Sequence, residues 1–148
     1  MSKANVQLTH YVLKPQLFLD PQNPEAVTAN IELDTLHCPP AKTLQAWYEA
    51  IDCNTVDIVT LRLADAVVDI VVDDEGLLKP NNAPQATILG YVITDDMGYE
   101  YPLAGTLVFA GVDQEDGETV DCPLTRDQIQ QLIDEDRIRT VGLNSPYN

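Results

Sequence analysis

A chain of 148 residues, 45% of them hydrophobic, is long enough to bury one core without metals or disulfides and too apolar to be disordered. Its 24 acids against 8 bases give a formal charge of −16, which opposes direct binding to nucleic acid or to an anionic membrane. No apolar run approaches the ~18 residues of a membrane helix. "MSKANVQLTHYVLKP" lacks the apolar centre of a secretory signal, and Cys38, Cys53 and Cys122 form no CxxC, so reduced thiols in a cytoplasm are expected.

In chain order, "VQLTHYVLK" (6–14) alternates as a strand, with Pro15 as its stop and "LFLD" as an extension, and "DPQNP" is a loop. "AVTANIEL" (26–33) reads as a second strand. In "HCPPAKTLQAWYEAI" the period changes: Leu44, Trp47, Tyr48 and Ile51 fall at i, i+3, i+4 and i+7, one face of a helix entered through Pro39 and Pro40. Residues 56–64 and 66–73 are two apolar runs about Ala64-Asp65, which predicts a hairpin. In its second run Ala66, Val68, Ile70 and Val72 share the core face. Val67, Asp69, Val71 and Asp73 share a half-wet face, with the two acids ~13 Å apart. "NNAPQATILGYVI" starts a predicted helix, with Asn82 as N-cap and Pro84 in its first turn. "TDDMGYEYP" is a loop, and Leu103–Asp113 a strongly apolar strand. "PLTRDQIQQLIDEDR" carries a capping box at Thr125 and Gln128, flanked by the staple pair Leu124 and Ile129. Residues 138–143 form a last short strand or a frayed end.

The charge is placed unevenly. Residues 1–51 carry −2 and residues 52–148 carry −14. Neither acidic turn has calcium-loop spacing: with Gly76 at the sixth position of an EF-hand loop, Val71 and Asn82 fall at the first and twelfth, and with Gly117 there, Val112 and Pro123 do. Three cysteines and two histidines without paired spacing make no zinc signature, and no Gly-rich phosphate loop is present. His37 adjoins Cys38, but neighbours on an extended chain point opposite ways. No catalytic residue, cofactor or metal ligand is assigned, and no enzyme is expected.

The ordered set "LQAWYEAI", "VDIVTLRLADAVVDIVVDDEGLL", "PNNAPQAT", "LAGTLVFAGVDQEDGE" and "PLTRDQIQQL" resembles a family of small uncharacterised proteins, a domain of unknown function found in phages, plasmids and bacteria. The resemblance covers residues 44–135 and implies a mobile-element origin, but no activity. The first forty residues depart from the family's pattern, and are expected to form an N-terminal β extension packed on an acidic domain of residues 41–148.

The fold expected is α+β, a mostly antiparallel sheet with two or three helices packed on one face. The leading functional expectation is a non-enzymatic acidic protein that binds a basic host protein, with inhibition by DNA mimicry as one form. Two rows of carboxylates would form the partner surface. Asp65, Asp69, Asp73, Asp74 and Glu75 lie on the hairpin, and Asp127, Asp134 and Glu135 on the last helix. One alternative is a small-ligand or divalent-cation module rimmed by residues 80–87. The other is an enzyme, which requires His10 or His37 to converge with a cysteine or carboxylate in a cleft.

Overall fold

Two antiparallel sheets and two helices follow from the alternation of apolar side chains, and a computed structural model describes them over residues 7–20, 22–75 and 87–144. The elements run β1 (Leu8–Asp20), β2 (Asn23–Cys38), α1 (Thr43–Ile51), β3 (Val56–Leu63), β4 (Ala66–Asp73), β5 (Thr87–Thr94), β6 (Glu100–Ala104), β7 (Leu107–Val112), β8 (Thr119–Val120), α2 (Arg126–Asp134) and β9 (Ile138–Asn144). The large sheet has the order β2-β1-β7-β4-β3, with the short β8 paired to β7. The small sheet has the order β6-β5-β9.

The period of two sorts the large sheet's residues onto two buried faces. Leu13, Leu33, Leu61, Val68, Ile70 and Phe109 face one core, which also takes Tyr91 and Ile93 of the small sheet and Ile129 and Leu132 of α2. Val12, Val71, Val108 and Ala110 face the other, beneath Trp47 and Ile51 of α1. The layers are therefore α1, then the large sheet, then the small sheet with α2. The two helices lie on opposite faces, not on one.

That layering corrects the reading of β4. It is an inner strand, covered on both sides, so Val71 is fully buried and Asp69 is only 9% exposed. Asp69 accepts a 2.7 Å hydrogen bond from the hydroxyl of Thr60, its cross-strand partner on β3. The polar residue on the supposed wet face is thus a satisfied buried group.

Other segments differ from expectation for local reasons. Thr87–Thr94 is a strand, because its run is rich in β-branched residues and alternation puts Tyr91 and Ile93 on the buried face of the small sheet; Asn82 and Pro84 lie outside the described residues. The apolar run 103–113 is two strands in different sheets, divided where Gly105 takes φ +78°. β1 runs through Pro15: it pairs with β7 only over Tyr11–Leu13, so beyond Leu13 it is a two-stranded ribbon with β2, where a missing N–H is tolerated. β1 is also an inner strand of the large sheet over Tyr11–Leu13, and Val12, Leu13, Leu33 and Cys38 are buried in the core. On α1 the buried stripe is Thr43, Trp47 and Ile51, and Leu44 is 49% exposed.

The outer edge of β3 is occupied by its own surroundings. The Arg62 carbonyl accepts from the Asp96 N–H at 2.9 Å, and the Ile58 N–H donates to the Asp57 carboxylate at 2.9 Å. Both contacts remove groups that would template another strand. On β7, Gly111 is required by close approach: a Cβ there would run into the carbonyl of Asp121.

Candidate functional site

Two polar hubs stand out, one inside the α1 face and one at the end of the large sheet. The first is His10 on β1, fully buried. The Trp47 indole N–H, which can only donate, points at its Nδ1 at 3.2 Å, so Nδ1 is an acceptor and Nε2 carries the proton. Nε2–H then donates to the Val120 carbonyl at 2.9 Å. The Cys38 thiol lies 3.6 Å from the same Nδ1.

This is the convergence of histidine and cysteine that an enzyme would need, but its electrostatics run the wrong way. Burial lowers the His10 pKa against the smaller opposing effect of its bond to Val120. Burial also raises the Cys38 thiol. Both groups are held neutral, whereas nucleophilic catalysis calls for a thiolate beside an imidazolium. Cys38 is fully buried as well, so the pair lines no cleft. The other histidine, His37, is exposed, with Nδ1 3.5 Å from the Thr9 hydroxyl. Cys122 lies apart, its thiol pushed up to about 11 by burial.

The second hub is built from two adjacent carboxylates in the turn between β5 and β6. Asp95 is 8% exposed and accepts from the N–H groups of Met97 (3.0 Å) and Tyr99 (2.9 Å) and from the Tyr101 hydroxyl (3.2 Å). Asp96 reaches the other way. Its two oxygens accept from the N–H groups of Ala64 (2.9 Å) and Asp65 (2.8 Å), the β3–β4 turn residues, both at positive φ. The Arg137 guanidinium donates to Asp96 at 2.8 Å and to the Thr94 carbonyl at 3.1 Å. The hydrogen bond from Arg137, with those from the two turn N–H groups, holds the Asp96 carboxyl below the usual range.

Asp96 thus fastens the β3–β4 turn, the β5–β6 turn and the α2–β9 connection to one another. The β7–β8 turn lies toward the same end of the large sheet but two strands from the outer edge of β3, because pairing Asp69 with Ala110 runs the start of β4 beside the end of β7. In that turn Asp113 caps the Glu115 N–H and Asp116 caps the Glu118 N–H. The turns toward this end carry exposed Asp65, Glu115, Asp116, Glu118 and Asp136. Within it Met97 and Tyr99 are 75% and 65% exposed, the two most exposed large hydrophobic side chains among the described residues.

The expected partner residues are not brought together. Asp69 is buried. Asp73 is half-buried at the far end of β4, where it caps the Glu75 N–H beside exposed Asp74 and Glu75. Asp65 is at the opposite end of the same hairpin. Asp127, Asp134 and Glu135 are exposed on α2, across the large sheet from the face that carries Asp69 and Asp73. Residues 80–86 of the supposed pocket rim lie outside the described residues, and Thr87 begins β5. Among the described residues no group of three or more His, Cys, Asp or Glu is placed to hold a metal ion, and no helix is long and apolar enough to cross a membrane.

Sequence reading missed the Asp95–Asp96 hub. The signal was present in "TDDMGYEYP": two acids before a Gly turn that also holds two large apolar residues. No curated protein and no solved structure matches the chain. A family model does match, over residues 16–137, from within β1 to the start of β9's approach at Arg137. The chain therefore belongs to the family DUF3846, described as a domain of unknown function.

Proposed function

We propose that this protein is a non-enzymatic binding protein for a basic partner protein, of the mobile-element type expected from its sequence. The observation that supports the reading is that four chain connections lie toward one end of the large sheet and carry exposed Asp65, Glu115, Asp116, Glu118 and Asp136. Like charges toward one end of a protein of net charge −16 repel one another, which a basic partner relieves. The two rows on the hairpin and α2 give less support, since they lie on different faces. DNA mimicry is the narrower form of the proposal, and it rests on the turn end alone.

The test is retention of proteins from host lysate across a salt series, with and without competing DNA, by the wild-type protein and by a variant carrying Asp65→Asn, Glu115→Gln, Asp116→Asn and Glu118→Gln. A basic protein held at low salt, released as salt rises and lost with the variant is the expected result. Displacement by DNA supports mimicry as well. Equal retention by the variant, or no basic protein on either, sinks the proposal.

A further inference from the structure

The two edges of the large sheet are finished differently. At β3 outward backbone groups are taken up by Asp96 and Asp57. At β2 the outward groups follow from the register. The Thr9 N–H and C=O are both bonded away from β2, to the Asp121 carboxylate and the Cys122 N–H. Thr9 lies opposite His37, so His37 and every second residue back along β2 point their N–H and C=O away from β1. The Leu33 carbonyl fits this pattern: the Arg126 guanidinium donates to it at 2.6 Å and closes the edge there. Further back, Val27, Ala29 and Ile31 direct their backbone groups outward, and among the described residues no strand pairs with them.

That stretch lacks the usual guards of an open edge. Residues 26–31, "AVTANI", hold no charge and no proline, although Glu25 and Glu32 flank them. Asn30 is exposed, and beside Asn30 and Ile31 lies an open groove of about 350 Å3, walled by Ile133 of α2 and by Ile138 and Thr140 of β9. The edge also belongs to the part of the chain with least charge, since residues 1–51 carry only −2 of the total −16.

We propose that β2 is a dimerisation edge, on which a second copy of this chain pairs antiparallel over residues 27–31 about a two-fold axis at Ala29. Centred there, the segment is complementary to itself. Val27 lies opposite Ile31 of the second copy, Thr28 opposite Asn30, and Ala29 opposite Ala29, so that apolar meets apolar and polar meets polar. Glu32 comes opposite Ala26 and Glu25 opposite Leu33, so no acid faces an acid. Bringing two chains of −16 together costs repulsion, so the contact is weak and tightens as salt screens the acids. Binding of a basic partner responds to salt in the opposite sense, which keeps the two proposals separable.

The test is sedimentation of the full chain across a series of protein and salt concentrations. A weak monomer–dimer equilibrium that tightens with salt is expected. Thr28→Glu with Asn30→Glu sets like charges opposite one another twice and is expected to weaken the dimer about five- to tenfold. Thr28→Lys with Asn30→Glu sets opposite charges there and is expected to restore it. Under mild oxidation Ala29→Cys is expected to give a disulfide-linked dimer, because facing Cα atoms in such a pair stand about 5.5 Å apart. Val27→Cys is not, because its own copy lies roughly 13 Å away. A chain that stays monomeric at every salt concentration overturns the proposal, as does a dimer that the two glutamates leave unchanged. Failure of the lysine–glutamate pair to restore the dimer, or linkage through Val27→Cys as ready as through Ala29→Cys, overturns the register. Should a charge variant not fold, the two cysteine variants decide.

Discussion

The His10 hub and the Asp95–Asp96 hub use hydrogen bonds of similar length for opposite ends. Around His10 a neutral side chain is sealed between β1, α1 and β8, and its bonds join elements far apart in sequence. Around Asp95 and Asp96 charged side chains sit at the rim and mainly fix turns. The inner hub holds layers together; the outer one holds turns in place. A polar cluster therefore shows its role by what its bonds restrain, more than by which residue types it contains.

Breaking the inner hub is expected to have the largest effect. His10→Ala leaves the Trp47 N–H and the Val120 carbonyl unpaired and opens a cavity, for a loss of about 3–5 kcal/mol in denaturant unfolding. Gly111→Ala attacks the same region through the backbone, since the new methyl must displace the Asp121 carbonyl next to Val120. It is expected to cost about 2–3 kcal/mol by the same measurement. In the outer hub, Asp95→Ala removes three acceptor contacts near the surface and is expected to cost about 1–3 kcal/mol, with Asp95→Asn recovering part of it. The amide protons of Met97 and Tyr99 should then exchange faster with solvent, while those of the core strands remain protected. If the core strands lose protection equally, the two hubs are not separable.

Thr125→Ala serves as a reference, because the box between Thr125 and Gln128 caps α2 without touching either hub. A loss of about 1 kcal/mol in thermal or urea unfolding is expected. The smallest expected effect is a pH dependence. Burial holds the folded His10 pKa below its ordinary 6.5, so the unfolded chain takes up a proton first as pH falls. Stability should be full above that value and decline as pH drops from it towards the folded pKa. Unfolding measured across this window should show the slope for the wild type and lose it in His10→Phe.

Much of the fold was legible where one local signal had no rival. The hairpin at Ala64-Asp65 was read correctly because a two-residue turn separates two apolar runs of strand length, and α2 because its capping box and staple agree. The helix expected after Asn82 failed because cap signals outweighed the β-branched run that follows. The split at Gly105 was hidden because each strand beside it is equally apolar. Asp69 looked wet because alternation shows that β4 has two faces but not that α1 covers the second. The candidate site was least legible: the acids could be counted, yet only tertiary structure brings the four connections to one end.

The position of β1 sets a timetable for synthesis. It lies between β2 and β7, and the carbonyl that satisfies His10 is 110 residues further along the chain. The ribbon is complete at Cys38 and its third strand, β7, ends at Val112, an interval of roughly 4–15 s at ribosomal speed. Until it passes, the β1–β2 ribbon has no third strand, and two strands alone are marginal in water. The ribbon's inner side waits open through that delay, exposed to any other chain that could pair with it. Lys14 and Pro15 stand just where β1 leaves the future track of β7. A charge and a missing N–H at that point act as gatekeepers of the nascent chain, discouraging a stranger from zipping along the ribbon before its own partner arrives.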